Sequence, residues 1–110
     1  MADTLKVLGQ VAPADDANAD LSTVPEDTQT TVSSLVACNL TGNTPNLRVA
    51  VRPLGASVEN EHYIYYGKVM VANDSIFIII GITLSDGDVV TVRSSAADEI
   101  AFSLFGVETS

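Results

Sequence analysis

Between Asn46 and Arg52 the chain alternates without a break: Leu47, Val49 and Val51 fall on one side of an extended backbone, and Arg48, Ala50 and Arg52 fall on the other. A period of two belongs to a strand with one buried face, whereas a helix needs apolar residues three and four positions apart. No window of the sequence sustains that helical spacing. Val, Ile, Thr and Ser abound, while Glu and Lys are sparse. Branching at Cβ suits a pleated, half-buried surface. The chain is therefore expected to be all-β.

Eight short strands can be read along it, over residues 4–11, 21–24, 29–39, 46–52, 63–71, 75–83, 88–95 and 99–108. Pro13, Pro25 and Pro53 close three of them, because proline removes a ladder donor. Thr41-Gly42-Asn43, Asn73-Asp74 and Ser85-Asp86-Gly87-Asp88 are turn signals, with Gly87 free to take positive φ. Short strands with turns at regular spacing mark a sandwich or small barrel. The expected fold is a single antiparallel β-sandwich or jelly-roll-like domain of about eight strands, with an extended N-terminal segment. Residues 1–20 read as an arm or strand followed by an acidic connector, and residues 21–110 as the sandwich. Residues 75–83 are almost continuously apolar and are expected to be covered on both faces. Ile100, Phe102 and Leu104 share one face of the last strand.

A chain of 110 residues makes one domain with a thin core. Hydrophobic residues make up 46% of it and charged residues only 17%. So few charges leave apolar surface for a neighbouring subunit to cover. The net charge is -9. Lys6, Arg48, Arg52, Lys68 and Arg93 lie scattered along the sequence, so no nucleic-acid or membrane partner is expected. The single cysteine, Cys38, forms no intrachain disulfide, which fits assembly in the cytosol. The opening MADTLKVLGQV lacks a basic region and a long apolar run, so no signal peptide is expected. Without one, the Asn39-Leu-Thr41 and Asn73-Asp-Ser75 patterns carry no glycosylation meaning. The longest apolar run, residues 76–82, is too short for a membrane helix.

Site-like patterns are weak. Asp16, Asn18 and Asp20, with Asp27 at position twelve, resemble a calcium loop, but Leu21 stands where such a loop needs glycine. No metal and no cofactor are expected. His62 is the only histidine and reads as a loop-end residue, since no nucleophile elbow accompanies it. Cys38 reads as a small buried hydrophobe. No catalytic residue is expected. The interface candidates are Leu5, Val7 and Leu8 in the apolar N-terminal segment, Arg48 and Arg52 as partners for acidic side chains across a subunit contact, and Tyr63 and Tyr65. The two tyrosines fall on one strand face by simple alternation, with Tyr66 on the other.

A set of segments spread over nearly the whole chain carries a likeness. They are Leu5-Lys6-Val7-Leu8-Gly9-Gln10, Thr23-Val24-Pro25, residues 32–39, Arg48-Val49-Ala50-Val51-Arg52-Pro53-Leu54-Gly55-Ala56, His62-Tyr63-Ile64-Tyr65-Tyr66, Asn73-Asp74-Ser75, Gly81-Ile82-Thr83-Leu84, residues 88–92 and residues 102–108. In this order and spacing the chain resembles a family of small virion structural proteins of tailed phages, best represented among phages of cyanobacteria. The acidic residues 15–27 hold more carboxylates than is usual there. The resemblance implies a non-enzymatic virion component, assembled in the host cytoplasm and partnered by other virion proteins. A capsid cement or decoration protein stabilising the head, clustered as a homotrimer, is the first expectation. A tail, baseplate or fibre-attachment subunit is the second. A carbohydrate-binding module using a Tyr63/Tyr65 platform is a third reading, from a different class.

Overall fold

The computed structural model describes residues 3–14, 17–78 and 81–110. Among them the chain forms β1 (Asp3–Val11), β2 (Ala19–Thr23), β3 (Gln29–Asn39), β4 (Asn46–Arg52), β5 (Tyr63–Val69), β6 (Ser75–Ile78), β7 (Ile82–Leu84), β8 (Val89–Ser94) and β9 (Ile100–Thr109). One sheet, called A here, runs β1-β9-β3-β6, with β7 also paired to β3. The other, B, runs β2-β8-β4-β5.

The pairing follows a single rule. β1 lies antiparallel to β9, β2 to β8, β3 to β6 and β7, and β4 to β5. The chain thus makes one long two-stranded antiparallel ribbon. Rolled up, the ribbon meets itself along β3–β9 and β4–β8, and those contacts weld it into two sheets. That is the jelly-roll form of the β-sandwich. All eight strands read from the sequence are present. Among the described residues the strands number nine, because the apolar stretch from Ser75 onward contributes both β6 and β7.

Of the arm or strand read for the N-terminal segment, the structure has the strand: it is the outer strand of sheet A, in register with β9 from Asp3 opposite Thr109 to Val11 opposite Phe102. The apolar stretch that opens at residue 75 is expected to be covered on both faces, but β6 is an edge strand and its Phe77 is exposed.

The core fills the space between the sheets. Val32, Leu35 and Ala37 of β3 and Ile100, Phe102 and Leu104 of β9 enter it from sheet A, while Leu47 and Val49 of β4 and Val90 and Val92 of β8 enter from sheet B. Each set is every second residue of its strand, except that a bulge between Val32 and Ser34 puts three positions between Val32 and Leu35. Met70 adds to the core from the turn after β5, and Val24 and Leu84 from the opposite end.

Bulges adjust this pattern where strands cross. The register of β1 slips between Val7 and Gly9, and that of β2 between Asp20 and Ser22. Leu8 alternates with exposed Leu5 and Val7 and packs inward against the core, and the slip brings Gly9 opposite inward-facing Leu104. Leu8 therefore drops out of the interface candidates. Gly9 then passes so close to the Leu21 carbonyl that a Cβ there would collide with it. Only glycine permits that approach.

Two stability predictions follow from this packing. Gly9→Ala forces β1 and β2 apart and lowers the unfolding free energy by about 1–3 kcal/mol, seen as a drop in urea midpoint. An unchanged midpoint contradicts the close approach. Thr30 is buried beside Leu84, and its hydroxyl has no hydrogen-bond partner among the described residues. Thr30→Val, nearly the same shape, removes that unmet group and raises stability by about 1 kcal/mol in the same assay. A loss of stability contradicts the assignment.

Candidate interaction surfaces

The two sheets turn opposite outer faces to solvent, and their chemistry differs. On sheet B the residues alternating with the core positions are Arg48, Ala50 and Arg52 of β4 and Val89, Thr91 and Arg93 of β8. Arg48 and Arg93 stand directly opposite each other across the β4–β8 ladder. The bases that lie scattered in sequence are thus partly gathered: all three arginines share one face.

Arg52 is engaged within its own chain. Its Nη2 donates to Asp20 Oδ1 at 2.8 Å, its Nε to Thr91 Oγ1 at 2.9 Å, and its Nη1 to the Gly55 and Ala56 carbonyls at 3.1 and 3.0 Å. The guanidinium ties β2, β4, β8 and the turn after β4 together, a task suited to its planar fork of donors. This differs from the expected role across a subunit contact. Arg48 is also occupied: its guanidinium carbon lies 4.2 Å from the centre of the Tyr66 ring, in cation–π geometry.

The tyrosines do not follow simple alternation. Val49 pairs with Tyr65 and Ala50 with Tyr63, so Ile64 is an extra residue in β5. This bulge returns Tyr63 to the outer face beside Tyr66, and the two rings meet edge to face at 4.8 Å and 85°. Tyr65 turns inward and packs against the core. The Tyr63/Tyr65 platform expected for sugar stacking does not form. In its place stands a Tyr63–Tyr66–Arg48 group, in which the arginine stacks on one face of Tyr66 while the ring stays largely exposed.

His62 closes the 3-10 turn Asn60–His62, where its Nδ1 accepts the Glu59 backbone N–H at 3.0 Å. It is the turn residue that its sequence position implies. Of the calcium-loop residues, Asp16 lies outside the described residues. Asp20 is held by Arg52, and Asp27 lies in the turn before β3 with φ 57°. Among the described residues no three His, Cys, Asp or Glu side chains group as metal ligands.

The outer face of sheet A is of another kind. β3 and β9 direct Ser34, Val36, Cys38, Ala101, Ser103, Phe105 and Val107 outward, flanked by Leu5, Val7 and Gln10 of β1 and Phe77 of β6. Cys38 is half-buried on this face and not in the core, because its neighbours Ala37 and Asn39 take the inward positions. Among the described residues of this face, charge appears only at the two borders, with Asp3 at one end and Glu99 at the other. The flat, uncharged character of this face is not visible in any single strand. It emerges when β1, β9, β3 and β6 lie side by side.

Turns at one end of the sandwich gather carboxylates: Glu26, Asp27, Glu59, Glu61, Asp86 and Asp88. Asp88 is structural, accepting the backbone N–H groups of Leu54 at 3.0 Å and Ser85 at 2.9 Å. Between β5 and β7 a shallow cleft of about 570 Å³ opens over Val51, Ile64, Ile82 and Leu84, with His62 and Glu61 at its rim.

The chain matches no protein-family model, and no curated protein matches it.

The Arg52 cluster yields a further prediction. Arg52→Lys keeps the charge but cannot reach Asp20, Thr91 and two carbonyls at once, and lowers the unfolding free energy by about 1 kcal/mol. A double-mutant cycle with Asp20→Asn separates the Asp20 bond from the rest. Additive single effects contradict a direct Arg52–Asp20 bond.

Proposed function

We propose that this chain is a non-enzymatic structural subunit of a tailed-phage virion, and within it a decoration protein that stabilises the head. The observation that carries the reading is the placement of exposed apolar side chains on several separate sides of one small brick. Leu54 is 79% exposed at the acidic end, and Leu40 and Val71 are 54% and 63% exposed at the opposite end. Leu5 and Phe77, 84% and 73% exposed, stand on the outer face of sheet A. A domain that binds one ligand needs one such patch. A subunit surrounded by neighbours in a shell needs several, each sized to a different contact.

Two further observations support the same reading. The jelly roll is a form that recurs in viral capsid proteins, although a fold alone fixes no function. The net charge of -9 keeps a chain with so much exposed apolar surface dispersed before assembly. Its partners are other copies and other virion proteins.

Cryo-electron microscopy of particles of the phage that encodes the chain tests the proposal. The expected result is a brick of about 45 × 27 × 20 Å at regular lattice positions on the head. Density on the tail or baseplate instead moves the assignment to the alternative structural role. Absence of the chain from purified particles overturns both.

A further inference from the structure

We propose that the outer face of sheet A is a self-association surface, on which two copies of this chain pack face to face as a two-fold dimer. The inference goes beyond the virion reading and holds whether or not that reading does. It also implies a pair of copies and not the trimer that the family resemblance implies.

Charge selects the occupant. Each copy carries a net charge of -9, so two copies brought together through an acidic surface repel each other. The described residues of this face carry no charge between Asp3 and Glu99. It is a place where a copy can meet its own kind without setting like charges in contact. The contact itself is isologous, since the same patch serves both partners.

Side-chain size matches the arrangement. Ser34, Val36, Cys38, Ala101 and Ser103 run along most of the β3–β9 seam, with Phe105 opposite Ser34 and Val107 opposite Thr31 towards one end. Bulkier groups stand at the two edges, Leu5 and Val7 on β1 and Phe77 on β6. A two-fold axis along the seam lays the β6 edge of each copy over the β1 edge of the other. Phe77 then packs against β1 of the second copy, at the roughly 10 Å spacing of stacked sheets.

The area is sufficient. Four strands about 4.8 Å apart, each about seven residues long at about 3.3 Å per residue, span roughly 450 Å² in flat projection. Two such faces bury about 900 Å² before the corrugation of side chains is counted, which brings the contact to the roughly 1,000 Å² of a specific interface.

Sedimentation equilibrium of the full chain tests this at neutral pH. The expected result is a species of twice the 11.5 kDa chain mass at about 100 µM, tightening as sodium chloride rises because screening relieves the repulsion between copies. Phe77→Glu sets a charge into the contact twice by symmetry and is expected to weaken dimerisation at least ~100-fold. Leu5→Glu does the same from the other edge and covers the case in which the first variant fails to fold. Val69→Glu, on an exposed residue of β5 in the other sheet, leaves the dimer intact. Cys38 reports independently. Its reaction with a maleimide is slow in the dimer and speeds up in either face variant. A chain that stays monomeric at every concentration overturns the proposal. So does a dimer that survives both face variants or is broken by Val69→Glu, and so does a Cys38 rate that ignores them.

Discussion

The ladder between β3 and β9 is the contact on which the rest of the molecule depends. It joins residues about 60 to 80 positions apart, from Gln29 opposite Thr109 to Asn39 opposite Ile100. Every other pairing of sheet A is attached to one of these two strands. β1 lies on the free side of β9, and β6 and β7 lie on the free side of β3. The inward side chains of the two strands supply six of the fully buried core residues, Phe102 and Leu35 among the largest. Gly106 permits their close approach, since a Cβ at that position would strike the Thr31 carbonyl. The alternative positions of both strands form the uncharged outer face. One ladder thus builds the core on one side and the uncharged outer face on the other.

Strand alternation made most of this legible before any coordinates. The pattern of Leu47, Val49 and Val51 predicted which side of β4 is buried, and Ile100, Phe102 and Leu104 did the same for β9. Hydrophobic burial drives both, and a period of two records it directly. What alternation misses is the extra residue. Ile64 in β5 separates Tyr63 from Tyr65, and Ser33 in β3 puts Cys38 on the opposite side from Val32. A bulge is set by the twist and spacing of neighbouring strands, which are tertiary facts. Sequence adjacency misleads in a second way. Arg48, Arg52 and Arg93 appear dispersed, yet the β4–β8 register places all three on one face. Cys38 looks buried in an apolar run, yet parity sends it outward. Phe77 sits in the most apolar stretch of the chain and is nonetheless open to solvent, because β6 is an edge strand whose outer face no element of the described chain covers.

The two outer faces divide the labour that a contact protein needs. Sheet B spends its arginines internally: Arg52 secures β2 to the sheet, and Arg48 caps an aromatic pair. Charge there serves the fold. Sheet A keeps its outer face free of charge and offers area. In the proposed contacts, the acidic turns at one end hold chains apart until a matching surface displaces water from the apolar one. Function by area and not by reactive groups is the common thread of the virion proposal and the dimer proposal, although each stands on its own observation.

Hydrogen exchange of backbone amides in the isolated chain tests the central ladder most directly. Amides of residues 29–39 and 100–109 that bond across β3 and β9 are expected to exchange last, at rates set by global unfolding, because they cannot open without separating the two sheets' shared core. Exchange from β1 and β7 is expected to be much faster, as those strands are secured on one side only. If the β3 and β9 amides exchange as quickly as those of the edge strands, the ladder is not the element that holds the fold together, and the account built on it fails.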